Sequence, residues 1–324
     1  MQIFYYQRRD RQPNFGDELN SWLWQRLIPN YLNDADESTA FVGLGTLLNS
    51  ALPRRLSGFQ RAVLFTTGAG YERPLKHIPD NWRIYAVRGP RSAHRLGLPQ
   101  DLALTDGGLL LRRCYTPHQT KLYQMSFMPH IHHANFAAPL FQQACDELGW
   151  GYIDPREPVE TILTRIDQSG VLIAEAMHGA IAADALRVPW IPVMTSPRVL
   201  SFKWQDWCES IGLTYHPYYL PPMSPYPKYA RGMRSALKSG LHWMGCVKSG
   251  LWSPTLPNHD PNNHERIRQL INLLVMLGQA PPQLSSLTTL NRLLDRLDQQ
   301  LHCLCHDLDR SLTPLPTPAN AEER

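Results

Sequence analysis

Short apolar runs ending in glycine-bearing turns alternate with stretches of helical periodicity along residues 3–194, which allows few folds besides a parallel α/β arrangement. Residues 3–6 read as a strand and 17–27 as a helix, with Leu19, Trp22, Leu23, Trp24 and Leu27 on overlapping apolar positions. Three strands with Gly-rich ends follow: FVGLGT at 41–46, AVLFTTGAG at 62–70 and RIYAVRGP at 83–90. A helix starts at 90–96, and Asp106-Gly107-Gly108 before three leucines closes the first unit. After a linker at 114–119, strands at 123–128, 152–154, 171–174 and 190–194 alternate with helices at 138–148, 158–166 and 179–186. Two such halves would place a deep cleft between them, a common position for a small-molecule site.

The length of 324 residues fits two domains with ample cores. With 32 Lys and Arg against 28 Asp and Glu, the net charge of +4 is too small for a dedicated nucleic-acid binder, so any basic surface is local. The first ten residues hold no apolar signal core, and no run approaches the length of a membrane span, which predicts a soluble cytoplasmic protein. Six cysteines are scattered without framework spacing, as reduced thiols would be. His302-Cys303-Leu304-Cys305-His306 falls in a helical stretch that turns residues two apart away from each other, so no metal site is expected.

Past residue 221 the character changes. Residues 226–252 carry Lys228, Arg231, Arg234, Lys238 and Lys248 with no Asp or Glu. They read either as a solvated basic helix packed on the body or as an interfacial segment attracting anionic lipid or a lipid-linked substrate, with peripheral contact at the inner membrane face. Residues 265–277 and 287–308 read as a helical hairpin joined by Pro281-Pro282; its leucine repeat predicts docking on the body ahead of coiled-coil pairing.

Several places bear residues suited to chemistry. In PNFGDELN (13–20), Asn14, Gly16 and Asp17 stand where strand gives way to helix; free N–H groups there can hold an anion, or Asn14 or Asp17 can simply cap the helix. VRGPRS (87–92) sets Arg88 and Arg91 at a helix start, where the macrodipole disfavours cations. They therefore imply an anionic ligand, or an internal ion pair with Asp106 or Asp101. EAMHGA (175–180) puts His178 at a strand's carboxyl end as a general acid or base, with Glu175 to orient it. His130 is the next candidate; His132 and His133 follow it in an expected loop without carboxylates, which is weak grounds for a metal. Arg198 and Lys203 can face the cleft, and Trp204 and Trp207 suit either a core or a sugar platform. Gly45, Gly68 and Gly70 would let backbone approach a ligand where the turns share one cleft.

The ordered string NFGDELN, FVGLGT, GAGY, VRGPRS and EAMHGAIAADALRVPW resembles the polysaccharide pyruvyl transferase family, and within it the exopolysaccharide (succinoglycan-type) ketal pyruvyl transferases, over residues 3–217. The resemblance implies an α/β fold of two Rossmann-like domains facing a cleft, similar to glycosyltransferase B enzymes. The domains would be 1–115 and 120–222, followed by a basic segment and helical extension at 223–312 and a disordered tail at 313–324. It also implies phosphoenolpyruvate as donor, a polysaccharide or lipid-linked oligosaccharide as acceptor, and no cofactor. Arg88 and Arg91 match the family's donor-holding basic positions, and His178 matches its C-domain histidine. Where many members carry Arg two places before that histidine, this chain has Ala176, so one phosphate or carboxylate contact is either missing or supplied by Arg198 or Lys203.

The chemistry fits these residue types. Arg groups would hold the donor's carboxylate and phosphate; protonation of its methylene carbon makes C2 electrophilic. One sugar hydroxyl attacks, phosphate leaves, and a second hydroxyl closes the ketal. His178 is the expected acid/base with Glu175 or Asp17 as second group, and no metal is required. A sugar-nucleotide-dependent glycosyltransferase of similar fold stays open beside this reading. So does a catalytically inactive scaffold, suggested by Ala176 and the long helical extension.

Overall fold

The computed structural model describes residues 1–221 and 263–312, apart from 9, 34, 36, 37, 72, 119 and 196–198. Arg198, the basic segment 226–252 and the tail 313–324 therefore lie outside the described residues. The chain is α/β, with two parallel sheets on either side of the 114–119 linker. The first has the order β1 (Gln2–Phe4), β2 (Thr39–Val42), β3 (Arg61–Phe65), β4 (Trp82–Ala86). The second comprises β5 (Tyr123–Met128), β6 (Gly151–Tyr152), β7 (Ser169–Ala174), β8 (Trp190–Met194) and β9 (Tyr218–Tyr219), in the order β6-β5-β7-β8-β9.

The two sheets differ in topology. Strand order in the first follows the sequence without reversal. In the second the chain steps outward from β5 to β6 and then back past β5 to β7, which makes a switch point between the carboxyl ends of β5 and β7, where open sheets hold ligands. Met128 and Ala174 are paired at that place, so the residues after them meet.

The connecting helices are α1 (Phe15–Leu27), α2 (Leu52–Arg55), α3 (Pro90–Leu96), α4 (Ile131–Leu148), α5 (Val159–Asp167), α6 (Met177–Ala185) and α7 (Ser201–Ser210). Two begin earlier than their apolar periodicity indicates. His130 caps α4 by accepting the His132 N–H at Nδ1 (3.3 Å), so His132 and His133 lie in the first helical turn and not in a loop. Ala176 is the N-cap of α6, which places His178 within that helix's first turn.

The cleft expected between the halves is partly filled. α1 packs on α5, α6 and the 3-10 stretch Gly107–Arg113. One apolar cluster runs from Phe15, Leu19 and Trp24 to Ala180, Ile181 and Ala183. The alanines of α6 let α1 approach closely, and removing that apolar surface from water favours closure by about 25 cal/mol per Å². Trp204 and Trp207 are fully buried beside Trp190, with Trp204 stacked on Tyr215 at 5.0 Å, so they are core and not a sugar platform.

The expected helical hairpin takes a different form. Helix Asn263–Gly278 packs on α4, whereas helix Leu287–Leu312 docks Leu290, Leu293, Leu297 and Leu304 against β4 and the 3-10 stretch of the first half. Between them Gln283 pairs with Trp190 in an antiparallel bridge, and Ser285 Oγ donates to the buried Asp184 (2.5 Å). No helix among the described residues is long and apolar enough to cross a membrane.

Candidate active site

The three Gly-rich turns of the first sheet converge, but on a side chain of the protein. Arg88, just beyond β4, is fully buried and donates from Nη1 to Thr46 Oγ1 (2.7 Å) and the Gly45 carbonyl (3.3 Å), and from Nη2 to the Ala69 carbonyl (2.8 Å). Its Nε donates to Asp206 Oδ2 on α7 (3.0 Å). A Cβ on Gly68 would lie 2.3 Å from the guanidinium carbon, so a bare backbone is required there. The Gly68 N–H in turn donates to the Gly45 carbonyl (2.9 Å), and Gly70 packs against Thr46 and Leu200.

Asp206 also accepts the Ser92 N–H (2.9 Å) and hydroxyl (2.5 Å) at the start of α3. The anion that this helix start and Arg88 call for is thus the protein's own carboxylate, and the partner is Asp206 and neither Asp106 nor Asp101. Arg91 likewise spends its guanidinium on Glu209 (2.5 Å) and Gln205 (2.8 Å) of α7. Both guanidinium groups are thus engaged by partners within the protein.

Glu175 departs from its expected role as well. It is buried at the switch point, where Oε2 accepts the His130 N–H (2.9 Å) and meets His133 Nδ1 (2.7 Å). Oε1 accepts the Thr195 N–H (3.1 Å) and hydroxyl (2.5 Å). Burial alone would raise its pKa, but His133, His130 and Thr195 together outweigh that and carry it down to about 2. Glu175 therefore orients His133 and ties together the carboxyl ends of β5, β7 and β8; it does not orient His178.

The acidic neighbour of His178 is Asp106. His178 Nε2 lies 3.8 Å from Asp106 Oδ2, and both atoms are buried without a hydrogen-bond partner among the described residues. The other oxygen of Asp106 caps the 3-10 stretch by accepting the Gly108 N–H (3.0 Å). Across the ring, a Cβ on Gly16 would come 2.2 Å from Nδ1, so the start of α1 approaches the imidazole face as only glycine allows. Beside Gly107, Thr66 adopts φ +68°, a left-handed conformation that costs a β-branched residue about 1–3 kcal/mol.

The electrostatics of this cluster are unusual. Burial, then the charges of Lys203 and Arg88, lower the His178 pKa to about 3, so the imidazole is neutral at ordinary pH. Burial raises Asp106 to about 6 against the pull of the Gly108 N–H, Arg88 and Lys203. Burial likewise raises Asp17 to about 6, opposed by the hydrogen bond from Asn14 Nδ2 (2.7 Å) and by Lys203. His130 is held well below its usual value by burial and by Lys203. Lys203, in the first turn of α7, thus acts on Asp17, Asp106, His130 and His178 together, and it has no ion pair among the described residues.

Of the expected set, Gly16 lies against His178, Asn14 donates to Asp17, and Asp17, His130 and His178 each feel the Lys203 charge. It sets Arg88, Arg91, Gly45, Gly68 and Gly70 into the scaffold. Asp106, His133, Thr195 and Asp206 were missed as site or support residues. Asp106 had a signal in its place after the third Gly-rich strand, whereas the pairing of Glu175 with His133 depends on a long-range strand register. A neutral histidine, two carboxyls near neutrality and one cation form a group equipped to move protons next to an anionic substrate.

Comparison with known proteins gives one match of high similarity, the succinoglycan biosynthesis protein ExoV of Rhizobium meliloti (strain 1021). It is 37% identical over 236 residues, covering 72% of each chain. No protein-family model matches the chain, and no solved structure matches it.

Proposed function

The chain belongs to the exopolysaccharide pyruvyl transferase family, and on that premise we propose that it moves pyruvate from phosphoenolpyruvate onto two hydroxyls of one sugar, closing a cyclic ketal on an exopolysaccharide or its lipid-linked precursor. Two domains of glycosyltransferase B type, divided near residue 115, would carry this activity.

The observation that carries the reading is His178 set between Asp106, whose Oδ2 faces Nε2 at 3.8 Å, and Gly16 at the opening of α1, with the Lys203 charge acting on the ring. A phosphoenolpyruvate bound there would set its negative charge against the Lys203 ammonium and the amides that open α1 and α6. Since the imidazole is unprotonated, it works first as a base. It takes the proton of the first sugar hydroxyl and delivers it to the methylene carbon, which becomes methyl, and that oxygen bonds to the C2 so made electrophilic. The second hydroxyl then bonds to C2 as the C2–O bond to phosphate breaks, and phosphate departs with that hydroxyl's proton. Asp17, which burial raises to about 6, would share in the second transfer. Arg88 serves by fixing the turns and α7, and through α7 the position of Lys203.

The test is calorimetric titration of the purified chain with phosphoenolpyruvate and, separately, UDP-sugars, repeated with Lys203→Ala and His178→Ala. Phosphoenolpyruvate should bind selectively, and Lys203→Ala should weaken it at least tenfold. Binding of UDP-sugars alone would replace this reading with glycosyl transfer, and binding of neither would favour a scaffold.

A further inference from the structure

The buried edge of His178 holds an arrangement that pyruvyl transfer as derived above does not use. Asp106 Oδ2 and His178 Nε2 face each other at 3.8 Å, both enclosed and both without a partner among the described residues. That distance is too long for a hydrogen bond and too short to admit a water between them. Two buried polar atoms left this way are each penalised, and a closure of several tenths of an ångström would satisfy both at once.

The two residues come from separate elements that are already packed together. Gly108, two residues beyond Asp106, lies where a Cβ would sit 2.7 Å from Ile181 of α6. The Asp106 carboxylate is itself anchored, because its Oδ1 accepts the Gly108 N–H. The opposite ring atom, Nδ1, lies over Gly16 at the opening of α1. Nε2 is thus the enclosed nitrogen facing Asp106, and Nδ1 is the nitrogen beside the opening of α1.

We propose that Asp106 is the positioning residue for His178, accepting a hydrogen bond from Nε2–H and so fixing the tautomer in which Nδ1 carries the lone pair that exchanges protons with substrate. This rests on the reading of His178 as the proton-transfer group. During the first transfer the hydroxyl proton sits on Nδ1, the ring becomes an imidazolium, and the Asp106 carboxylate opposite Nε2 offsets its charge. When the proton passes to the methylene carbon the starting tautomer returns, so Asp106 neither gains nor loses a proton over the cycle. Asp17 and Glu175, the carboxylates expected at the outset to assist the histidine, are engaged with Asn14 and with His133 and Thr195.

Nitrogen-15 NMR of the full chain labelled at histidine tests this without needing an acceptor. The His178 signals are assigned by their loss in His178→Gln, and the tautomer is read in the wild type at pH 7.5, with and without phosphoenolpyruvate. The expected result is protonated Nε2 and unprotonated Nδ1, with a mixed tautomer in Asp106→Ala. Asp106→Asn, which keeps the acceptor for Gly108, should also change the tautomer ratio. Protonated Nδ1 in the wild type would overturn the proposal, whether or not the variants fold. Because the readout is made on the free protein, Nε2–H without phosphoenolpyruvate binding would sink the pyruvyl reading and leave this pairing standing. Binding with Nδ1–H would do the reverse.

Discussion

Arg88 and Asp206 form an ion pair at 3.0 Å in which neither side chain keeps any exposed surface, and through it the end of β4 is fastened to α7. The same carboxylate caps α3 through Ser92, and the same guanidinium holds the turns after β2 and β3. Removing either partner leaves a buried charge unmatched. Arg88→Ala and Asp206→Ala should each destabilise the chain by about 3–5 kcal/mol in urea unfolding. A donor-binding arginine would behave otherwise, with stability unchanged and phosphoenolpyruvate affinity lost; that outcome for Arg88→Ala would reject the structural role.

Gly16→Ala places a methyl 2.2 Å from His178 Nδ1 at a position whose backbone is ordinary helix. The ring must swing away while α1 itself is unstrained. Pyruvyl transfer is expected to fall at least 100-fold with a melting temperature within a few degrees of wild type. Normal turnover in this variant would show that Nδ1 is not the working nitrogen.

Glu175→Gln should cost about 1–3 kcal/mol, because its new NH₂ group faces donors on whichever side it points: His130 N–H and His133, or the Thr195 N–H and hydroxyl. The loss should be read by chemical unfolding. Hydrogen exchange should locate it at the ends of β5, β7 and β8, and uniform exchange changes over both sheets would contradict the local role.

The acid limb of stability separates His178 from Asp106. His178 is lowered from 6.5 to about 3, so between those values the unfolded chain binds the extra proton and acidification destabilises the fold. Asp106 is raised from 3.8 to about 6, so in that window the folded chain binds the extra proton and acidification stabilises it. Relative to His178→Gln, the wild type should therefore lose stability as pH falls from 6.5 to 3. Relative to Asp106→Asn, it should gain stability as pH falls from 6 to 4. Unfolding curves at half-unit steps would show both slopes, and slopes of opposite sign would refute the assignments.

The local elements were legible in the residues to within a few positions. Pro90 opens α3 at the position that its fixed φ favours, and β8 spans residues 190–194 as its apolar run indicates. The early start of α4 was not, because its cap is the His130 side chain, a residue type that gives no usual capping signal. The candidate histidine could be named from its place after a buried strand, but its partner could not.

What the sequence by itself determined is the parallel α/β class and the alternation of elements, with His178, Asp17 and Lys203 as candidates, because periodicity and turn chemistry act over a few neighbours. Which groups pair was decided by tertiary structure alone. Arg88 meets Asp206 across 118 residues, Glu175 meets His133 across 42, and His178 meets Asp106 through the packing of α6 on the 3-10 stretch. A charged or polar side chain leaving water takes whichever partner the fold brings to it. That partner is set by strand order and helix packing, which no local spacing records.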